Sequence, residues 1–82
     1  MTQEQFSKLP FTQQCLITKK LAVEVARRYD DLYGYILFQF DSFYIELRFD
    51  RYFDIIQQVM SFEQNRMPGN YLDNINIQGI LS

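Results

Sequence analysis

The stretch that decides the fold is Tyr33-Gly34-Tyr35-Ile36-Leu37-Phe38-Gln39-Phe40-Asp41-Ser42-Phe43-Tyr44-Ile45-Glu46-Leu47-Arg48-Phe49-Asp50. Two runs rich in aromatic and aliphatic residues, Tyr33–Phe40 and Phe43–Phe49, flank Asp41-Ser42, a two-residue turn candidate. Pairing Phe40 with Phe43 sets Phe38 opposite Ile45, Ile36 opposite Leu47 and Gly34 opposite Phe49, all on one face. The other face then pairs Gln39 with Tyr44, Leu37 with Glu46, Tyr35 with Arg48 and Tyr33 with Asp50. One face is apolar and the other mixed, as a half-buried antiparallel hairpin requires, and a slip by one residue would mix the two sets. A primed turn asks both central residues for positive φ, which Ser42 resists. The register therefore rests on the face pattern.

Working outward, residues 50–54 form a turn and Ile55–Phe62 a further strand, although Ile55, Ile56, Val59 and Met60 also fit helical spacing. Its facing is open: Ile56, Met60 and Phe62 share one parity, Ile55 and Val59 the other. Met67-Pro68-Gly69-Asn70 opens a short helical tail with Tyr71 and Leu72, and Ile75, Ile77, Ile80 and Leu81 give that tail an apolar side. Upstream, Leu21, Val23 and Val25 alternate with Ala22, Glu24 and Ala26, which favours a strand over residues 21–28, with extension of the preceding helix to Arg28 as the alternative. Thr12 reads as a helix N-cap with Phe11 as half of a hydrophobic staple, Gln13–Lys20 as a short helix, and Leu16 and Ile17 as its inward residues. Pro10 disfavours a helical Leu9, leaving Thr2–Lys8 at most a separate turn. The expected fold is α+β, one small domain over residues 1–82. A short N-terminal helix packs on a three- or four-stranded antiparallel meander with a short C-terminal helical tail, and an all-helical C-terminal half is the alternative. The expected core is Leu16, Ile36, Phe38, Phe40, Phe43, Ile45, Leu47, Phe49 and Leu72.

Eighty-two residues leave room for one core, and a composition 48% hydrophobic and 17% aromatic excludes disorder as the main state. Chemistry is limited by what is missing. Without histidine, no imidazole can activate a serine or cysteine nucleophile, and one cysteine cannot supply a zinc site or an internal disulfide. No enzyme activity, metal or cofactor is therefore expected. A lone Cys15, a polar start from Met1 to Pro10 and no apolar run of bilayer length point to a cytoplasmic protein without a membrane partner. The net charge of −2 weighs against nucleic acid. It is unevenly spread, with five cations against two acids in residues 1–28 and three against eight in residues 29–82.

The run Leu37-Phe38-Gln39-Phe40-Asp41-Ser42-Phe43-Tyr44-Ile45-Glu46-Leu47, with Tyr71-Leu72-Asp73-Asn74-Ile75 further on, resembles a small family of uncharacterised bacterial proteins built around an L-Y-x-L-D-G-F-Y-V-E-V-like hairpin. Ser42 stands where that pattern has glycine. The resemblance implies a helix, a strand over residues 21–28, the hairpin and a further strand. It implies no activity.

Two sets of residues are candidates for function. Tyr33, Tyr35, Leu37, Tyr44, Glu46 and Arg48 share the mixed hairpin face, and tyrosine and arginine are the side chains that favour protein interfaces. Lys19, Lys20, Arg27 and Arg28 form a basic arm suited to an anionic partner, but no aromatic- and glycine-rich RNA-binding string accompanies it. Asp41, Asp50 and Asp54 flank turns, where aspartates bond their own backbone rather than a metal. Cys15 reads as a buried, inert thiol. The functional expectation is a non-enzymatic interaction module, self-associating as a dimer through the mixed face or a sheet edge, or binding another protein. The alternatives are a small ligand-binding or regulatory subunit using Tyr35, Tyr44, Glu46 and Arg48, and a weak nucleic-acid binder using the basic arm.

Overall fold

The computed structural model describes residues 1–64. Expectations placed on residues 65–82, the helical tail with Tyr71 and the core role of Leu72 among them, lie outside the described residues. Two helices, α1 (Gln3–Ser7) and α2 (Phe11–Leu21), precede four strands, β1 (Val23–Tyr29), β2 (Tyr33–Phe40), β3 (Phe43–Asp50) and β4 (Ile56–Glu63). The strands form one antiparallel meander in the order β1-β2-β3-β4. The α+β architecture is thus as expected, and residues 23–29 and 56–63 are strands rather than helix.

The central hairpin has the expected register throughout, from Phe40 opposite Phe43 to Tyr33 opposite Asp50. Its turn resolves the difficulty at Ser42 simply. Asp41 alone takes positive φ, at 53°, and Ser42 is spared.

Both outer strands carry a bulge, and each bulge decides what its strand presents. In β1 the register shifts between Glu24 and Ala26. Glu24 lies opposite Phe38 and Arg27 opposite Ile36, so both project to the helix side, where their side chains bond at 2.6 Å. In β4 the shift falls between Gln58, opposite Arg48, and Ile56, opposite Phe49. Ile56 and Val59 consequently join the helix-side core, while Met60 and Phe62 lie opposite Glu46 and Tyr44 on the other side. The open question of facing is settled by one extra residue, Gln57.

The helices depart from expectation in two ways. Residues 3–7 are a helix, not merely a turn. The Thr2 hydroxyl accepts from the Gln5 amide at 3.1 Å and the Gln5 side chain accepts from the Thr2 amide at 2.9 Å, a reciprocal capping box. Pro10 separates α1 from α2 but does not forbid α1. Phe6, fully buried, lies 5.6 Å from the Phe43 ring, and the Gln3 amide donates to the Ser61 hydroxyl at 2.8 Å, which fixes α1 to β4. α2 starts two residues earlier than expected, with Pro10 rather than Thr12 at the N-cap position. Its inner face is Gln14, Ile17 and Thr18, one turn of i, i+3, i+4 spacing. Gln14 donates to the Phe6 carbonyl, Ile17 packs on the core and Thr18 is buried. Leu16, expected in the core, is 50% exposed because this rotation turns it outward.

The helix-side core therefore consists of Phe6, Phe43, Ile45 and Leu47, with Leu9, Ile17, Ala22, Phe38, Phe40, Ile56 and Val59 around them. Ile36 and Phe49 are only half-buried.

Candidate interaction site

The hairpin brings Tyr33, Tyr35, Leu37, Tyr44, Glu46 and Arg48 to one side of the sheet, the side away from the helices. Arg28 joins them from β1. Its guanidinium lies 3.6 Å above the Tyr35 ring centre and 3.6 Å from the Glu46 carboxylate. Arg48 lies 4.7 Å from the Tyr33 ring centre, and Tyr44 stacks on Phe62 at 6.1 Å. The Tyr35 hydroxyl donates to Asp30 at 2.9 Å. Burial, then this bond to the carboxylate, hold the Tyr35 phenol above its ordinary range. Asp30 is held below the usual carboxylate range, first by the Tyr33 amide and then by the Leu32 amide and the Tyr35 hydroxyl.

The middle of this face is interior, which corrects the expectation of an open docking surface there. Leu37 is 0%, Tyr44 1% and Glu46 8% exposed. Leu37 and Tyr44 nucleate a second hydrophobic cluster with Val25, Ala26, Tyr35 and Phe62. The sheet thus has buried apolar residues on both sides, and a partner could meet these side chains only after they were uncovered. Only Tyr33, Tyr35 and Arg48 of the six keep partial exposure.

Nor does the structure gather the basic arm into one patch. Lys19 and Lys20 occupy the last turn of α2, where the helix dipole favours cations. Arg27 is on the helix side, paired with Glu24, and Arg28 is on the opposite side. Cys15 is half-buried, and burial pushes its thiol up against a smaller opposing influence from Lys19, which keeps it protonated at neutral pH.

The helix side holds a feature that sequence reasoning missed. Ile36, Phe38, Leu47, Phe49 and Ile56 floor a groove of about 430 Å³ whose rim is Lys19, Glu24, Arg27 and Asp54. Neither α1 nor α2 is long enough to span it. An eleven-residue α2 is about 16 Å long, whereas an eight-residue strand spans about 27 Å. That mismatch was the available signal: neither α1 nor α2 is long enough to span the aromatic face assigned to the core.

Beside the groove, the connection between β3 and β4 holds Tyr52 and Phe53 out into solvent, 76% and 75% exposed. The loop carrying them is internally bonded. The Asp50 carboxylate accepts from the Tyr52 and Phe53 amides at 2.8 and 2.9 Å. The Asp54 amide donates to the Asp50 carbonyl at 2.8 Å, with Asp54 at φ 59°. The Asp50 amide donates to the Ile55 carbonyl, and the Arg51 amide ties the loop to the Leu32 carbonyl of the neighbouring turn. The two rings are exposed on a preorganised support.

No family model, curated protein or solved structure matches the chain. Among the described residues, no helix is long and apolar enough to cross a membrane, and no group of three acidic, cysteine or histidine side chains is placed to hold a metal.

Proposed function

We propose that the protein is a cytoplasmic, non-enzymatic interaction module that self-associates as a dimer. The observation that carries this reading is the apolar-floored groove standing open next to Tyr52 and Phe53 on a rigid loop. An aromatic side chain presents about 150–250 Å². Three-quarters of that, at about 25 cal/mol per Å², yields ~3–5 kcal/mol per ring on full burial. Association costs about 4–15 kcal/mol in lost freedom and ordering. One or two rings offset only the lower part of that cost, whereas the four rings of a two-fold dimer, at ~11–19 kcal/mol, offset most of its range.

The outer strands favour packing through this side rather than edge pairing. β1 has its bulge and the consecutive cations Arg27 and Arg28, and β4 has its bulge and a Ser61 carbonyl that already accepts from Gln3. Both devices discourage strand addition. Light scattering at about 10 μM tests the reading, because a micromolar dissociation constant populates the dimer there. A mass of twice the 9.9 kDa chain is expected. A mass that stays at one chain refutes self-association.

A further inference from the structure

We infer that the dimer is reciprocal: Tyr52 and Phe53 of each copy seat in the helix-side groove of the other. This rests on the self-association reading and specifies its geometry.

Three observations support the arrangement. Knob and groove are contiguous on the chain, since Asp54 and Ile56 line the groove and Tyr52 and Phe53 immediately precede them. A two-fold axis near Asp54 then sets each copy's loop over the other's groove and closes the assembly at two. The loop cannot fold back to fill its own groove. The bonds from Asp50 to Tyr52, Phe53, Asp54 and Ile55 fix it with both rings outward. The groove rim is charge-balanced, with Lys19 and Arg27 against Glu24 and Asp54, so an uncharged aromatic pair suits it better than a charged segment. The loop end, with Asp31, Asp50 and Asp54 around Arg51, disfavours an anionic membrane as the occupant. The groove volume falls in the range that accepts aromatic groups.

Two measurements test the arrangement. In the first, the double variant Tyr52→Ser, Phe53→Ser is compared with the natural chain by sedimentation. These residues are solvent-exposed, so the monomer keeps its melting curve, and the dissociation constant rises at least about tenfold. In the second, p-benzoyl-phenylalanine replaces Phe53 and is irradiated in a mixture of ¹⁴N- and ¹⁵N-labelled chains. Cross-links between differently labelled chains are expected at Ile36, Phe38, Leu47 or Phe49. If the natural chain is a dimer but the double variant dimerises equally well, or cross-links map to β1 or β4 outer edges, reciprocal seating is overturned while self-association stands. A natural chain that is monomeric removes both.

Discussion

Gly34 offers a test of the packing on which the groove depends. It is buried in β2 opposite Phe49, and the Phe49 ring lies flat across it. A methyl group added at Gly34 would meet that ring at 2.2, 2.6 and 2.8 Å from three of its carbons. No glycine among the described residues has positive φ, so space and not backbone freedom demands glycine here. Tyr29 packs edge-on to Phe49 at 6.3 Å and limits where the ring can go. Gly34→Ala must therefore displace Phe49, at about 1–3 kcal/mol for an overpacked site. In a strand without that obstacle, alanine should gain about 0.5–1 kcal/mol over glycine. The expected result is a change of sign. Gly34→Ala lowers the melting temperature of the natural chain by roughly 5–15 °C, and raises it slightly in a Phe49→Ala background. Urea and thermal melts at fixed, low protein concentration, where dimer linkage is small, provide the four corners of the cycle. Equal costs in both backgrounds, or stabilisation of the natural chain, would show that the ring does not hold the position assigned to it.

Phe6→Ala removes a fully buried ring and should cost ~3–5 kcal/mol, while Leu16→Ala, at a half-exposed site, should cost below ~1 kcal/mol; denaturant melts with the opposite ranking would refute the docking of α1 and the rotation of α2. The lowered pKa of Asp30 predicts an acid-labile contribution. Because the folded value lies below the unfolded one, the stabilisation is complete above the ordinary carboxylate range near pH 4 and is lost as pH falls through the folded value. Asp30→Asn should flatten the dependence of stability on pH below about 4, and an unchanged acid profile in that variant would be inconsistent with the bonds from the Tyr33 and Leu32 amides.

The hairpin was fully legible because two eight-residue strands with one apolar parity admit one register, and every pair from Phe40–Phe43 to Tyr33–Asp50 follows from it. The bulges were not legible. Val25 and Gln57 look like ordinary strand residues, and the phase change each one introduces depends on the neighbouring strand. The same limit hid the pairing of Glu24 with Arg27, which strict alternation places on opposite faces. At α1, the Thr2 and Gln5 spacing of a capping box is present in the sequence, and it outweighs the local restriction that Pro10 places on Leu9. The site was legible as composition and not as exposure. The mixed face was correctly assembled, yet its centre is interior, where Leu37 and Tyr44 cluster with Val25, Ala26, Tyr35 and Phe62. Tyr52 and Phe53 read from the sequence only as part of the turn over residues 50–54. An aromatic pair in a turn closed by Asp50 was the available clue.

The interrupted outer strands set a limit on how far assembly can grow. An incoming strand could stay in step with β1 only over the four residues from Ala26 to Tyr29 before the extra residue throws the ladder out of phase. On the opposite margin the Gln3 amide already occupies a carbonyl that such a strand would need. Fibre-like polymerisation requires an unbroken template at both margins, so crowding this chain to high concentration should yield discrete particles rather than filaments.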